Sequence, residues 1–453
     1  MKMSSTWRPG RAAARAVLVL VATAVLAGCA TYTDRLRNAS LATSAGDYES
    51  AVSVMNAVLG VSSSAELPKK WGGDYPLAVL DRAVLQQSLR QFRESSRDLS
   101  AAEQELEVLD LGTDPVGVLG RYIYSDSAGP YRAPPSERLA VNGINLLNYL
   151  AVGDLDGAAV EARRFQVIRE YMQSEGIEAG AQATLGTYLS GFVFEKRGEG
   201  DRALRYYEET LQQRPLDSLA HPVHRLAGLN PYRGPLINHI LEQRPQGSDA
   251  NGSGGELLIV LLLGRVPYKV PERMPAGVAV GVAGTYASGN TDWLKYGATK
   301  VIVYPKLVPA PSSARNALVR VDEREVRVEE LIDFESLVLQ EYEKIKPMII
   351  AAALTRLASR AAVAEGVRAA GKQNSNALGD LLSILIESAL VALDRPDTRS
   401  WTMLPARVLV ARIPVAPGVH SVKVSFDGIG ITRRAEVELA HQGSAAVVLT
   451  EPR

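Results

Sequence analysis

From about residue 31 to 243 the apolar positions recur with helical spacing. Leu139, Gly143, Leu146, Leu147 and Leu150 fall on one stripe, as they must on a helix that buries a single face. Beyond residue 255 the rhythm changes. Glu256 to Leu263 is a continuous aliphatic run, which predicts a strand buried on both faces. Thr299 to Tyr304 and Ala317 to Val321 predict further strands. A helical excursion follows, in which Phe334, Leu337, Val338, Ile345, Met348, Ile349 and Ala352 share a face and Pro347 starts a second helix. Leu381 to Leu393 reads as a buried core helix; it is thirteen residues long, too short to cross a bilayer, and contains Glu387. The chain closes in β. Val422 to Phe426 and Ala435 to Leu439 alternate cleanly about a turn at Asp427-Gly428, and Arg407 to Ile413 and Ala445 to Leu449 complete a meander of about four strands. The predicted class is α+β: a helical N-terminal region, then a mixed region with a β-meander or sandwich and a helical insertion at about 329–394.

In the helical region a single phrase recurs at turns. Gly46-Asp47-Tyr48-Glu49-Ser50-Ala51 returns as Gly153-Asp154-Leu155-Asp156-Gly157-Ala158, and loosely as Gly198-Glu199-Gly200-Asp201-Arg202-Ala203. Gly allows the left-handed turn that ends one helix, Asp caps the next, and a small Ala lets the two approach. The phrase resembles the turn of tetratricopeptide (TPR) repeats, although the glycines are 107 and 45 residues apart, not at multiples of about 34. A fourth unit near Leu80 to Leu99 lacks the Gly-Asp phrase. Two insertions, Ser62 to Tyr75 and Leu111 to Pro135, interrupt regular stacking. The expected architecture is a short, irregular TPR-like solenoid, with a non-repeat helical bundle as the alternative. Pro245 to Gly255 is a flexible linker by composition, so the expected division is 29–245 helical, 246–255 linker and 256–453 mixed.

The first residues carry an address. Arg8, Arg11 and Arg15 precede an apolar run of eleven residues, Ala16 to Leu26, which is the order and length of a secretory signal. The run ends in Leu26-Ala27-Gly28-Cys29, which resembles a bacterial lipobox: residues 1–28 form the leader, and the Cys29 sulfur takes the diacylglycerol. Ala30 follows, not the Asp that retains many such lipoproteins in the inner membrane. The expected location is therefore the outer membrane, lipid-anchored through acylated Cys29 and facing the periplasm.

Composition narrows the chemistry. The chain has 453 residues, 46% hydrophobic and 22% charged, which is globular in class and long enough for two domains. Fifty basic residues balance fifty acidic ones, and loss of Lys2, Arg8, Arg11 and Arg15 with the leader leaves 46 against 50, so bulk attraction to nucleic acid is excluded. Cys29 is the one cysteine, which rules out an intramolecular disulfide and a Cys-rich metal site. His221-Pro222-Val223-His224 reads as a loop feature, Glu329-Glu330 as the start of a helix, and the glycines at 277, 281 and 284 as structural. No Gly-x-Ser-x-Gly elbow is present, and Cys29 is committed to lipid. No cofactor is expected. Two basic features stay open: Arg163 and Arg164, with Arg169, either grip a partner's carboxylates or form a solvated face. Arg399 and Trp401 are either an exposed binding pair or a core Trp with a snorkelling Arg.

Two blocks of text carry a family resemblance. The first runs Glu137-Arg138-Leu139, Asn145-Leu146-Leu147-Asn148-Tyr149-Leu150, Gly153-Asp154 and Val160-Glu161-Ala162-Arg163-Arg164. The second is Asp397-Thr398-Arg399-Ser400-Trp401, then Leu404-Pro405 and Ala411-Arg412-Ile413-Pro414-Val415-Ala416-Pro417-Gly418-Val419-His420. Gly264 to Lys269 is a weaker third match. Together with the lipobox they resemble a family of TPR-containing bacterial outer-membrane lipoproteins, often encoded near a lipoprotein activator of a penicillin-binding protein. The phrase from Pro417 to Val424 also resembles small surface-layer β-sandwich modules of the PEGA type. The resemblance implies a helical-repeat domain, a C-terminal β-rich domain, no established catalytic activity and a link to cell-wall assembly. The expected function is a non-enzymatic scaffold that holds an unidentified periplasmic protein in a helical groove. An accessory lipoprotein of a secretion or polysaccharide-export machine, and an enzyme acting on envelope polymers, are the alternatives. Crosslinked partners separate the first two, and a cleft with perturbed acids marks the third.

Overall fold

The computed structural model describes residues 31–108, 131–243, 255–287, 300–371, 396–441 and 443–453. The lipobox Leu26 to Cys29, the linker before Gly255, most of the 111–135 insertion and the Leu381–Leu393 segment lie outside the described residues.

The described chain is mixed α+β, with a helical N-terminal region. Helices α1 (Tyr32–Ala45) and α2 (Tyr48–Leu59), α3 (Tyr75–Ser88) and α4 (Phe92–Glu103), α5 (Pro135–Ala151) and α6 (Leu155–Ser174), and α7 (Thr184–Lys196) and α8 (Gly200–Gln213) form four hairpins; α9 (Ala220–Ala227) and α10 (Pro235–Glu242) follow. A short parallel pair, β1 (Glu107–Val108) and β2 (Arg132–Ala133), lies between α4 and α5. The recurring turn phrase has a direct physical basis. Gly46, Gly153 and Gly198 take φ of 79°, 73° and 78°, where a Cβ is disfavoured. Asp47 then caps α2 by accepting from the Ser50 amide at 3.0 Å, and Asp154 caps α6 through the Gly157 amide at 2.8 Å. The α3–α4 turn has no glycine and puts Arg90 at φ 61° instead.

The second half contains strands β3 (Gly255–Leu263), β4 (Tyr268–Pro275), β5 (Val301–Val308), β6 (Ala317–Val321), β7 (Arg324–Val326), β8 (Glu329–Asp333), β9 (Arg407–Val415), β10 (Gly418–Phe426), β11 (Ile431–Leu439) and β12 (Ser444–Glu451). Helix α11 (Ala276–Ala283) precedes β5, and α12 (Phe334–Gly371) follows β8. One sheet has the order β12-β3-β9-β8, with β12 parallel to β3; a second is β11-β10-β6-β7, antiparallel throughout; β4 and β5 pair separately. The four terminal strands stand where the pattern predicts, but they do not form one meander. Strand β3 lies between β9 and β12, while β10 and β11 join β6 in the other sheet.

The alternation of β3 explains its unbroken apolar text. Leu257, Ile259, Leu261 and Leu263 face the second sheet and meet Val319, Val422, Val424 and Phe426 in a sandwich core. Leu258, Val260 and Leu262 face the other way, into a cluster shared with α3, α5 and α7. With each such side chain contributing about 1.5–3 kcal/mol on burial, neither face of β3 tolerates an unpaired polar residue between Leu257 and Leu263. One apolar cluster therefore runs from the helices to the inner sheet, and α3 and α5 pack on β12.

Three local expectations are corrected. Glu329 and Glu330 lie on strand β8, where Glu-Glu-Leu-Ile-Asp pairs with β9, and do not start a helix. Pro347 sits inside α12 and does not open a second helix; Ile345, Met348 and Ile349 on either side enter one cluster with α11 and β5, which spans the proline. His221 and His224 are on the short helix α9, not on a loop, with Pro222 in the first turn, where the missing N–H costs nothing.

Candidate functional site

Trp401 is fully buried and Arg399 is 4% exposed, so neither stands on an open surface. The exposed-pair reading of the two is replaced by a buried one. Arg399 forms a bidentate pair with Asp397, Nε to Oδ1 at 2.8 Å and Nη2 to Oδ2 at 2.6 Å, and stacks 5.8 Å from the Tyr131 ring. The Trp401 amide donates to Glu137 of α5 at 3.2 Å, and the Tyr131 hydroxyl donates to the same carboxylate at 2.5 Å. Next along the chain, Thr402 Oγ1 and the Met403 amide donate to Asp81 of α3 at 3.1 and 2.7 Å, and Tyr32 of α1 adds its hydroxyl at 2.6 Å. Burial pushes the Asp81 carboxyl up to about 7 and also raises Glu137. The block from Asp397 to Leu404 is therefore a plug, bonded to helix carboxylates that tie the two halves together.

Asp81 and Glu137 were not visible as partners in the sequence. The available signal was a charge inside the apolar run from Leu77 to Leu85, which a buried helix keeps only for a hydrogen-bonded purpose. A second long-range tie is equally unmarked in the sequence. Arg412 of β9 bonds Glu195 of α7 at 2.5 Å, the Tyr207 hydroxyl of α8 at 2.8 Å and Glu256 of β3 at 2.9 Å. Burial alone would raise Glu195, but Arg412, with Lys196 and Arg225 beside it, outweighs that and holds the carboxyl well below the usual carboxylate range.

Arg163 and Arg164 are placed differently, on the outward side of α6. The Arg163 side chain is exposed, and no described residue pairs with it. Arg164 is half exposed and lies 3.9 Å from Glu103 and 3.8 Å from Glu161. Glu161 itself is buried and accepts from Asn142 and Asn145 at 2.5 and 3.1 Å; burial, the largest influence, moves it up to about 7. Arg169 is tied to Glu209 of α8 and lies over Phe165, so it does not share the openness of the other two. A cavity of about 600 Å³ runs beside this face, bounded by Glu103, Arg138, Val160, Arg163, Arg164 and Val167. Val160, Val167 and Tyr171 are 49%, 63% and 55% exposed. The surface is thus apolar with one open cation, Arg163, and a second, Arg164, half exposed beside Glu103 and Glu161, suited to binding and without a nucleophile–base pair of its own.

Among the described residues no group of three His, Cys, Asp or Glu side chains is placed to hold a metal ion. Among them, too, no helix is long and apolar enough to cross a membrane. Comparison with protein-family models, with curated proteins and with solved structures finds no match for this chain.

Proposed function

We propose that the protein is a lipid-anchored envelope scaffold, held at the outer membrane and facing the periplasm, that docks a protein partner on its helical half. The observation that carries this reading is the open face of α6. Positions 160, 164, 167 and 171 follow the 4-3-4 spacing of a helix–helix seam, and Arg163 borders the same stripe. An acidic amphipathic helix is the complementary occupant: its apolar side covers Val160, Val167 and Tyr171, and its carboxylates meet Arg163 and Arg164. The Gly-Asp turns support reading the hairpins as an irregular TPR-like array, an architecture that presents such faces. Leu26 to Cys29 supports the anchor. The scaffold role needs no cofactor, and we assign the protein no reaction.

The test is a photoreactive benzoylphenylalanine at position 167 in cells, beside one at position 419 on β10, where Val419 is 65% exposed. The expected result is one dominant partner captured at 167, lost in Arg163→Glu, whose crosslinked peptide is an acidic amphipathic helix. Capture of the same partner only from 419 would move the site to the outer sheet. The anchor is tested separately by palmitate incorporation, which Cys29→Ser should abolish. Whether the partner belongs to cell-wall assembly or to an export machine follows from its identity.

A further inference from the structure

Five arginines of the described chain are buried, and four of them have a carboxylate at ion-pair distance. Arg82 pairs with Asp98 at 2.6 Å, Arg138 with Glu103 at 3.3 Å, Arg399 with Asp397 at 2.6 Å and Arg412 with Glu195 at 2.5 Å. Arg265 is the fifth, 4% exposed in the loop after β3. Its guanidinium meets only neutral acceptors: Nε donates to the Pro452 carbonyl at 3.0 Å, Nη1 to Ser40 Oγ at 2.9 Å, and Nη2 to Ser44 Oγ at 2.8 Å and the Pro311 carbonyl at 3.2 Å. Burial lowers its pKa to about 10, so it stays charged at neutral pH. Asp81 acts on it from beyond ion-pair distance, and a desolvated cation with no carboxylate in contact is costly.

Arg265 also borders a cleft of about 420 Å³ between α1 and the start of β4. Leu36 and Leu41 of α1 and Val270 and Pro271 of β4 are among its lining residues. Ser40 Oγ accepts from Arg265, which leaves its own proton for a second acceptor in the cleft. At the rim Arg37 sits 3.5 Å from Asp34, so with Arg265 the cleft carries one net positive charge. A buried guanidinium among hydroxyls, with Leu36, Leu41, Val270 and Pro271 in the same lining, defines a ligand with an anionic head and an apolar body.

We propose that this cleft binds a single-chain anionic amphiphile, its carboxylate or phosphate against Arg265 and Ser40 and its alkyl chain between Leu36, Leu41, Val270 and Pro271. Both head groups offer the oxygen acceptors that a guanidinium and a hydroxyl require. Only two residues separate Cys29 from the start of α1, so the anchored chain would keep the cleft near its bilayer source. That clause on supply rests on the lipid-anchored reading; the binding site itself does not.

The experiment is calorimetric titration of the full chain in phosphatidylcholine nanodiscs, against empty nanodiscs, with octanoate, octyl phosphate, 1-octanol and inorganic phosphate. Octanoate or octyl phosphate, or both, should bind at one site, and whichever binds names the head group; octanol and inorganic phosphate should bind at least tenfold more weakly. Arg265→Gln should weaken binding roughly 10- to 100-fold, the worth of a charge-assisted contact. Because Arg265 is buried, Leu41→Glu gives a second arm: Leu41 is 63% exposed, so the fold is left alone while a like charge enters the mouth, and binding should drop about tenfold. Octanol binding as well as octanoate, inorganic phosphate binding as well as octyl phosphate, or indifference to both variants overturns the proposal. The mass of the Cys29 peptide, read in the same sample, reports acylation independently, so failure of the anchor and failure of the cleft are told apart.

Discussion

Asp81 of α3 accepts the backbone amide of Met403 at 2.7 Å, across 322 positions of sequence. The same carboxylate takes the hydroxyls of Tyr32 and Thr402, so one buried side chain joins α1, α3 and the plug that leads into β9. Asp81→Ala would strand three buried donors at once. The expected cost is about 3–5 kcal/mol, the range for removing one partner from a buried charged network. Asp81→Asn keeps an acceptor oxygen and should cost less than half as much. Urea denaturation of both variants decides it; an alanine variant within about 1 kcal/mol of wild type would mean the plug is held by packing alone.

The buried acids also set a pH dependence. Asp81, Glu161 and Glu341 are each pushed up to about 7 in the folded chain, burial being the largest cause, against about 4 when unfolded. A carboxyl with a raised folded pKa binds its proton more tightly when folded. Its stabilising contribution is complete below about pH 4 and is lost as pH rises through 7. Acids held low, such as Glu195 and Glu256, act in the opposite direction, but at pH below about 4. The chain should therefore be more stable at pH 5 than at pH 8, by an amount on the order of a few kcal/mol. Glu161→Gln should flatten some of that slope. Equal denaturation midpoints at the two pH values would show that these carboxyls are hydrated in solution.

Local chemistry was legible in the sequence, and long-range pairing was not. The Gly46-Asp47 and Gly153-Asp154 turns were readable because a left-handed glycine and an aspartate cap act within three residues of each other. The β10–β11 hairpin was readable because alternation fixes which face is wet. The insertion of β3 between β9 and β12 was hidden, since a strand buried on both faces carries no mark of its neighbours. Glu329-Glu330 misled because a carboxylate pair at an element boundary suits a helix start as well as an edge strand; β9 on one side and the Asp217 and Ser218 amides on the other decide for the strand. Trp401 and Arg399 could not be sorted by type, because the same residues serve hot spots and cores, and the choice depends on the distant Glu137 and Tyr131.

The shared core bears on the linker. Limited proteolysis should cut between residues 245 and 254, yet the two pieces should stay together. One apolar cluster spans them, and Arg412 bridges Glu195 on one side of the cut and Glu256 on the other. The nicked chain should elute at the intact size in gel filtration and separate only in denaturant. Arg412→Ala should loosen it, because Glu195 and Glu256 lose the buried cation they share and keep only Lys196 and Arg225, which are more exposed. Two folded fragments parting in native buffer would show that the halves are independent domains.

Charge reversal on α6 separates binding from folding. Arg163 has no described partner, so Arg163→Glu should leave the denaturation midpoint unchanged to within about 0.5 kcal/mol. Arg164 is a poorer probe: reversed, it would face Glu103 and Glu161 at under 4 Å and push the buried Glu161 further toward its protonated form. The partner should bind Arg163→Glu at least about tenfold more weakly, because reversal removes an interface arginine and adds repulsion against an acidic helix. Val167→Asp should do the same by placing a charge in the middle of the apolar stripe, and the two effects should exceed either alone. Raising salt from about 0.05 to 0.5 M should weaken wild-type binding only a few-fold, since the apolar contacts with Val160, Val167 and Tyr171 are indifferent to screening. A partner whose affinity collapses with salt yet ignores Val167→Asp is held by charge alone, and the seam along α6 would then not be its site.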